Sequence, residues 1–329
     1  MTSGDALEQG AAPALQALVV RVDFGGCTLR AQDGGVIEAT ARGRLMGRRK
    51  ALGNKVVVGD LARLSREGER MMIDAVEPRR NAFSRRAAGE RTAEQVVAVN
   101  IDQVLVVAAV RDPEFRPGFV DRVLAQTEHA KIPARLVLNK CDLSNAAEWR
   151  SLLEDYGKAG YPGIAVSART GLSIDALREL CRGRRSLLIG HSGVGKSTLL
   201  NALFPDLALR EGAVNLKTGK GRHTTTAAVL LFPESGLELI DTPGVRTFGL
   251  WGVGAEDLER AYPEFRPLLG HCRFADCKHS REPGCALTEA RDAGSISTRR
   301  MDSFLKLRDE LRAEAGAHGG RVRTPDSWG

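Results

Sequence analysis

Residues 185–203 read RSLLIGHSGVGKSTLLNAL, and this stretch decides the fold class. An apolar run typical of a buried strand leads into a glycine-rich loop, and a helical run follows from Thr198. The loop, residues 190–197, matches GxxxxGK followed by Ser or Thr, whose glycines let successive backbone N–H groups surround a phosphate chain. A strand, a phosphate-binding loop and a helix in this order predict an α/β domain with a parallel sheet.

The loop residues have distinct predicted roles in binding a nucleotide with Mg²⁺. Lys196 is expected to neutralise the β- and γ-phosphates, which places it among the predicted catalytic residues. The Ser197 hydroxyl is the predicted magnesium ligand of the loop. The predicted phosphate-binding set is Gly190, His191, Ser192, Gly193, Val194, Gly195, Lys196, Ser197 and Thr198.

Two polar segments after the loop are predicted to complete the phosphate side. The first is DTPG, residues 241–244, which follows the strand-like run LELI. Asp241 can hold the metal through water, and Gly244 can give its N–H to the γ-phosphate. The second is GRHTTT, residues 221–226, where one threonine can ligate Mg²⁺. The predicted ligand is Thr225, with the neighbouring Thr224 and Thr226 as alternatives.

The residue after DTPG is Val245, where Ras-like enzymes place the glutamine that orients the attacking water. His223 is the predicted substitute, because a neutral imidazole can hold that water by a hydrogen bond. The alternative is a loop histidine without a catalytic duty.

A base-binding motif, NKCD at residues 139–142, ends the apolar strand RLVL, and SAR at residues 167–169 ends the strand GIAV. The Asp142 carboxylate can accept from the ring N–H and the exocyclic amine of guanine, a pattern that adenine does not offer. Asn139 is expected to reach the opposite edge of the base. A surface turn is the alternative interpretation of NKCD. The predicted guanine-binding residues are Asn139, Lys140, Cys141, Asp142, Ser167 and Ala168.

The chain divides into six predicted segments. Residues 1–16 are predicted to be disordered, and residues 17–78 hold about five short strand runs typical of a small OB or SH3-like β-barrel. An arginine-rich linker is predicted over 79–95, the α/β domain over 96–250, a helical region over 251–315 and a disordered tail over 316–329. The barrel has a basic cluster with a predicted RNA contact, and a merely solvated loop is the alternative. Its members are Arg42, Arg44, Arg48, Arg49 and Lys50.

The helical region carries a predicted metal site. Its candidate ligands are Cys272, Cys277, His279 and Cys285. Three thiolates and one imidazole suit a closed tetrahedral site, so one structural Zn²⁺ is predicted. A set of reduced core cysteines is the alternative, and His271 is an alternative ligand.

Composition bounds these predictions. The chain has 329 residues, a formal charge of +7 and six cysteines, and 43% of its residues are hydrophobic. These values exclude global disorder and a disulfide scaffold, and they leave a polyanionic partner open. The start lacks the pattern of a secretory leader, and no apolar run reaches the roughly 18 residues of a membrane span. A cytoplasmic monomer without membrane contact is therefore predicted.

The order of the motifs is unusual. NKCD, SAR, the phosphate loop, GRHTTT and DTPG resemble the translation-factor class of GTPases, but those proteins run from phosphate loop to base motif. The chain therefore resembles a circularly permuted GTPase. With the barrel before it and the Cys/His region after it, residues 17–315 are similar to the RsgA family, also called YjeQ or YloQ, of small-subunit-dependent GTPases. In that family's SAK form, a lysine stands where this chain has Arg169, and little functional penalty is expected.

The resemblance implies a GTPase that uses GTP, releases GDP and needs Mg²⁺ and one structural Zn²⁺. Its implied partner is the small ribosomal subunit with its rRNA late in assembly, and its turnover is expected to rise on that subunit. Two other classes of protein are the alternatives. A P-loop ATPase or small-molecule kinase is opposed by NKCD. A non-enzymatic RNA- or DNA-binding module does not explain the nucleotide motifs and predicts no GTP hydrolysis.

Overall fold

The computed structural model describes residues 15–43, 45, 56–87, 93–205, 228–234, 236–245 and 247–317. Its first five strands form the predicted barrel. Strand β1 pairs with both β2 and β4, and β3 pairs with β5, so the order β1-β2-β3-β5-β4 closes on itself. This closed Greek-key barrel is the OB arrangement. The strands are β1 (Leu15–Asp23), β2 (Gly26–Ala31), β3 (Val36–Ala41), β4 (Leu61–Glu67) and β5 (Arg70–Val76).

Part of the predicted linker is folded. Strands β6 (Ala82–Arg86) and β7 (Glu94–Val99) form an antiparallel pair after the barrel. Phe83 is fully buried and belongs to the same apolar cluster as the α/β domain. The arginines of this stretch obscure the strand in the sequence because they lie on its more exposed positions.

The α/β domain is a sheet of order β10-β9-β8-β11-β13-β12, in which all neighbours are parallel except β12 and β13. One pairing, Arg21 with Val229, continues the sheet into the barrel. The strands are β8 (Gln103–Ala109), β9 (Ala134–Asn139), β10 (Gly163–Ala165), β11 (Arg185–Gly190), β12 (Val229–Leu231) and β13 (Glu238–Asp241).

Helices cover both faces of this sheet, as the alternation of strands and helical runs predicts. Along β8, Val104, Val106 and Ala108 pack on one face, whereas Leu105, Val107 and Ala109 pack on the other. This period of two buries the strand completely. The first face carries α1 (Pro117–His129) and α2 (Ala146–Lys158), and the second carries α3 (Ile174–Cys181) and α4 (Lys196–Leu203).

Beyond residue 251, the described residues form turns and helices, as expected. Two 3₁₀ turns, Leu258–Ala261 and Pro263–Leu268, precede α5 (Ala286–Asp292) and α6 (Thr298–Ala317). Helix α6 packs along α1. Within the described residues, none of the helices combines the length and apolar character that a membrane crossing requires.

Candidate nucleotide site and metal centre

The phosphate loop joins the end of β11 to the start of α4. Gly195 precedes α4 with a φ of +89°, a left-handed conformation that favours glycine. A Cβ atom there would lie 2.6 Å from Asn139 Nδ2, and one at Gly190 would lie 2.4 Å from the Val107 carbonyl oxygen. Both glycines are therefore required by close approach of neighbouring groups.

Lys196 places a cation inside this loop. Its side chain is buried, and its Nζ donates to the Gly190 carbonyl at 2.9 Å. Burial lowers the pKa of Lys196 from its usual 10.5, and the Asp241 carboxylate acts in the opposite direction. Ser197 and Thr198, the next two predicted residues, are exposed. The loop thus has a desolvated cation and accessible hydroxyl-bearing residues, which suits a phosphate with its metal ion.

The DTPG motif lies directly against the loop. Thr242 Oγ1 donates to the Leu188 carbonyl at 2.7 Å, which fixes the segment on β11. A Cβ atom on Gly244 would lie 3.0 Å from Ser192 Cα and 3.3 Å from Lys196 Nζ. Val245 also forms an isolated parallel bridge with His191. The structure therefore brings Asp241 and Gly244 to the phosphate loop, as the sequence predicts.

Asp142 is the centre of the base side. Its Oδ1 accepts from the Ser167 hydroxyl at 2.6 Å, and Ser167 is fully buried. Arg169 Nε lies 3.3 Å from Asp142 Oδ2, although the arginine side chain is 79% exposed. The NKCD and SAR segments are thus joined by a short hydrogen bond that orients the carboxylate.

Asn139 lies between the phosphate loop and the SAR segment. Its side chain is buried, and Nδ2 donates to the Val194 carbonyl at 2.9 Å while Oδ1 accepts from Ala168 N at 3.3 Å. The amide therefore joins the phosphate loop to the SAR segment, and Nδ2 keeps a second N–H for another acceptor. The contact expected between Asn139 and the opposite edge of guanine stays a prediction.

Cys141 and Val194 place no side-chain atom in the cleft. The Cys141 thiol is buried and donates to the Leu138 carbonyl at 3.1 Å. Burial raises the pKa of this thiol to about 11, so it stays protonated at neutral pH. Val194 packs in the core cluster under α3 and α4. These two predicted residues can contribute only through their backbone.

Lys140 is held at the same edge of the sheet. It has a φ of +61°, and its Nζ donates to the Asp112 carbonyl in the loop after β8. The Asp112 carbonyl was missed by motif reasoning, as was Arg116 at the start of α1, which contacts His191. Sheet topology could have pointed to these residues, because the carboxyl ends of all the parallel strands lie at the same edge of the sheet. His223 and Thr224–Thr226 lie outside the described residues.

The four predicted metal ligands come together in the C-terminal region. Their ligand atoms all lie within 4.8 Å of one another. Cys272 Sγ and Cys285 Sγ are 4.0 Å apart, and His279 Nδ1 lies 3.5 and 3.4 Å from them. A tetrahedral Zn²⁺ with Zn–S bonds of about 2.3 Å separates its sulfur ligands by about 3.8 Å. Cys272, Cys277, His279 and Cys285 therefore fit one zinc ion.

The surroundings of the cluster support His279 as a ligand through Nδ1. Its other ring nitrogen, Nε2, lies 3.1 Å from Glu259 Oε2, the type of carboxylate contact that fixes the tautomer of a metal-bound imidazole. The alternative ligand, His271, is exposed and lies outside the group of four. With four protein ligands there is no open position, so the site suits structural zinc.

These features define the class of protein. A largely parallel sheet carries the phosphate loop, Asp142 and DTPG at one edge, and along the chain NKCD after β9 comes before the phosphate loop after β11. A circularly permuted GTP-binding domain has these properties. An OB barrel precedes it, and a region with a Cys/His cluster follows.

Comparison with known proteins identifies the family. The family described as RsgA GTPase matches residues 76–251. Over 284 residues, the chain is 45% identical to the small ribosomal subunit biogenesis GTPase RsgA of Gemmatimonas aurantiaca, covering 85% of this chain and 92% of that protein. It is 50% identical over 211 residues to the protein of that name from Pseudomonas aeruginosa, covering 63% of this chain and 62% of the relative. The chain belongs to the RsgA GTPase family, a family of GTP hydrolases.

Two solved structures support the fold. YjeQ from Thermotoga maritima is 30% identical with a TM-score of 0.70, covering 91% of this chain and 98% of that one. YloQ, described as a circularly permuted GTPase, is 22% identical with a TM-score of 0.67, covering 94% and 99%. The predicted order of barrel, permuted GTPase domain and Cys/His region is confirmed.

Proposed function

We propose that this chain is a GTPase that binds the small ribosomal subunit through its rRNA, acts late in maturation of that subunit and turns over faster when bound to it. The family and the names of the relatives in Gemmatimonas and Pseudomonas support this proposal. The observation that carries the nucleotide part is the Asp142 carboxylate, held by Ser167 at the edge that also holds the phosphate loop.

Asp142 is assigned to guanine because a carboxylate accepts two N–H groups from that base. The short hydrogen bond from Ser167 leaves Oδ2 and the remaining acceptor positions of Oδ1 for this purpose. Arg169 lies on the exposed side of the carboxylate. Asn139 fixes the Val194 carbonyl and the Ala168 N–H that border the site, and its second Nδ2 hydrogen is assigned to the opposite edge of the base.

Lys196 is assigned to the β- and γ-phosphates, with Ser197 and Asp241 as the residues that would hold Mg²⁺. The metal ion would neutralise negative charge on the phosphates when bound. Gly244 can approach the γ-phosphate because it has no side chain between its backbone and Lys196. In the reaction, a water oxygen forms a bond to the γ-phosphorus, the bond to the β–γ bridging oxygen breaks, and GDP and phosphate leave. His223 is the proposed residue that orients this water, and Thr225 the proposed second threonine on the metal.

The rRNA contact is assigned to the barrel, but its basic cluster is only partly described. Arg42 is bound to Asp74, with Nε 2.5 Å from Oδ1, and lies 3.6 Å from Glu67. Arg42 is therefore neutralised by its neighbours and is a weak candidate for a phosphate contact. The other members, Arg44, Arg48, Arg49 and Lys50, lie outside the described residues.

The C-terminal region is assigned one structural Zn²⁺ on Cys272, Cys277, His279 and Cys285, and its geometry supports that assignment. The chain is further proposed to act as a cytoplasmic monomer without membrane contact. The domain limits that we propose from the sequence are 17–78 for the barrel, 96–250 for the GTPase domain and 251–315 for the Cys/His region.

The test is steady-state GTP hydrolysis by the purified chain, alone and with purified small ribosomal subunits. Large subunits at the same concentration are the matched control. We expect slow turnover alone and a clear increase with small subunits only. Equal rates under all three conditions would remove the small subunit as the partner, and a chain that hydrolyses no GTP with small subunits would remove the proposed function altogether.

A further inference from the structure

Helix α1 begins beside the phosphate loop. Arg116, at the N-cap, has Nη1 2.9 Å from His191 Nε2, and the Phe119 ring stands nearly perpendicular to the imidazole at 5.7 Å. His191 Nδ1 lies 2.8 Å from the Ser192 carbonyl oxygen. A guanidinium can only donate, so Nε2 accepts and Nδ1 carries the hydrogen that is donated to Ser192. These contacts form one directed chain from α1 into the loop.

Ser192 is the part of the loop that faces DTPG. A Cβ atom on Gly244 would lie 3.0 Å from Ser192 Cα and 3.4 Å from its nitrogen, and His191 itself bridges Val245. Gly244 is the residue assigned to the γ-phosphate. A change in the His191 ring therefore acts on the γ-phosphate side of the loop and leaves Asp142 and Lys140 on the base side untouched.

The same helix is held by the C-terminal region. Arg300 of α6 is fully buried and contacts Asp121 of α1 at 2.5 Å and Glu264 at 2.7 Å. Arg122 pairs with Glu310 of α6, and Glu128 pairs with Arg266. The contacts of Arg300 with Asp121 and Glu264 are hard to break one at a time, because an unpaired buried charge is costly.

One further contact joins α1 to the segment that leaves DTPG. The buried Gln126 side chain accepts from Trp251 N at 2.8 Å and donates to the Trp251 carbonyl at 3.2 Å. Val245 is thus joined to the phosphate loop through His191, and Trp251 is joined to it through α1. Helix α1 thus contacts the phosphate loop at His191 and the segment after DTPG at Trp251.

We propose that Arg116 is a positioning residue for GTP hydrolysis and that α1 links the C-terminal helix α6 to the phosphate loop through it. Arg116 acts through His191 on the Ser192 carbonyl and does not itself touch the nucleotide. The inference rests on the proposed assignment of residues 190–197 to the phosphates. Unlike that assignment alone, the proposal predicts that loss of the Arg116 side chain lowers turnover and leaves GDP affinity nearly unchanged.

The first test compares Arg116→Ala with Arg111→Ala. Arg111 lies in the same loop and is exposed, and it pairs with Glu148 at 3.1 Å on α2, so its removal makes the same charge change without touching His191. We expect Arg116→Ala to lower kcat for GTP about tenfold, the loss of one hydrogen bond, with GDP affinity within about twofold of the parent. Arg116→Lys, which keeps one donor, should recover part of kcat, and Arg111→Ala should match the parent.

Two results would overturn this part. One is an unchanged kcat in Arg116→Ala. The other is a fall in GDP affinity that parallels the fall in kcat, since that indicates a general structural loss. A parent chain without GDP binding or GTP turnover would instead overturn the proposed function and the inference with it, so the two failures are distinguishable.

The second test examines the link to α6. Glu310→Gln weakens the ion pair with Arg122, and Glu154→Gln, which weakens an exposed pair with Lys158 on α2 at 3.1 Å, is the control. We expect Glu310→Gln to lower kcat about threefold in the parent and to have no further effect in Arg116→Ala, because both changes act on one path. No effect of Glu310→Gln in the parent, or effects that multiply in the double variant, would overturn the link.

Discussion

The nucleotide cleft and the Cys/His cluster are assembled in opposite ways. The cleft gathers residues from Asn139 to Gly244, and sheet topology brings these distant segments to one edge. The cluster gathers four ligands from residues 272–285, a stretch without strands and with helix only from Ala286 onward. The positions of the cleft residues are therefore set by a buried core. The positions of the cluster residues depend on the metal ion that they would bind. The same kind of substitution should consequently alter ligand choice in the cleft and local folding at the cluster.

The largest effect is expected at the cluster. Cys277→Ser removes one of four ligands, so bound zinc should fall from about one per chain to a small fraction, and residues 270–285 should lose protection from hydrogen exchange. Because metal binding there supplies folding free energy, the local stability should drop by several kcal/mol, on the order of a third of the ~10 kcal/mol known for small structural zinc sites.

The matched control is Cys181→Ser, at a buried cysteine of the α/β core far from the cluster in sequence. It should retain full zinc content. Equal zinc content in Cys277→Ser and the parent would contradict the metal assignment and favour reduced core cysteines.

A smaller and more selective effect is expected in the cleft. Asp142→Asn replaces an acceptor oxygen with a donor, so GDP affinity should fall about 10- to 100-fold, which corresponds to the loss of a hydrogen bond to a charged group. Affinity for xanthosine diphosphate should rise, because xanthine presents an acceptor where guanine has its amine. Calorimetric titration with both nucleotides measures the exchange. Equal weakening for both would show that the variant had lost the site and had not changed its preference.

The smallest effect is expected for Arg169→Ala. Arg169 is largely exposed and touches only one oxygen of Asp142, and exposed pairs of this kind contribute up to about 1 kcal/mol. GDP affinity should stay within about fivefold of the parent at moderate salt, in agreement with the expected tolerance of arginine in place of the usual lysine. A loss as large as that of Asp142→Asn would show that Arg169 is part of base recognition itself.

The contrast between the two regions also explains what the sequence could predict. The four residues of the Cys/His cluster could be predicted from composition and spacing, because they lie close together in the chain. The phosphate loop and DTPG were found because each has a local pattern with a mechanical reason for every residue. The barrel followed from its short strands and glycine turns.

Other features depend on contacts that a local pattern does not contain. The hydrogen bonds of Asn139 with Val194 and Ala168 were not predicted, because these partners come from two other segments. Arg116 was missed because its partner, His191, is 75 positions further along the chain. Strand β6 was not predicted because its only large apolar residue, the buried Phe83, stands beside two arginines in the sequence. Each of these features depends on a contact between residues that are distant in the sequence.

Sheet topology brings Asp142, the phosphate loop and DTPG to one edge, and the cleft that they form is proposed to select guanine. Calorimetric titration of the purified chain with GDP and with ADP tests it most directly. GDP is expected to bind at least about 100-fold more tightly than ADP, because adenine leaves the Asp142 carboxylate without its two donors. Equal affinities for GDP and ADP would contradict it.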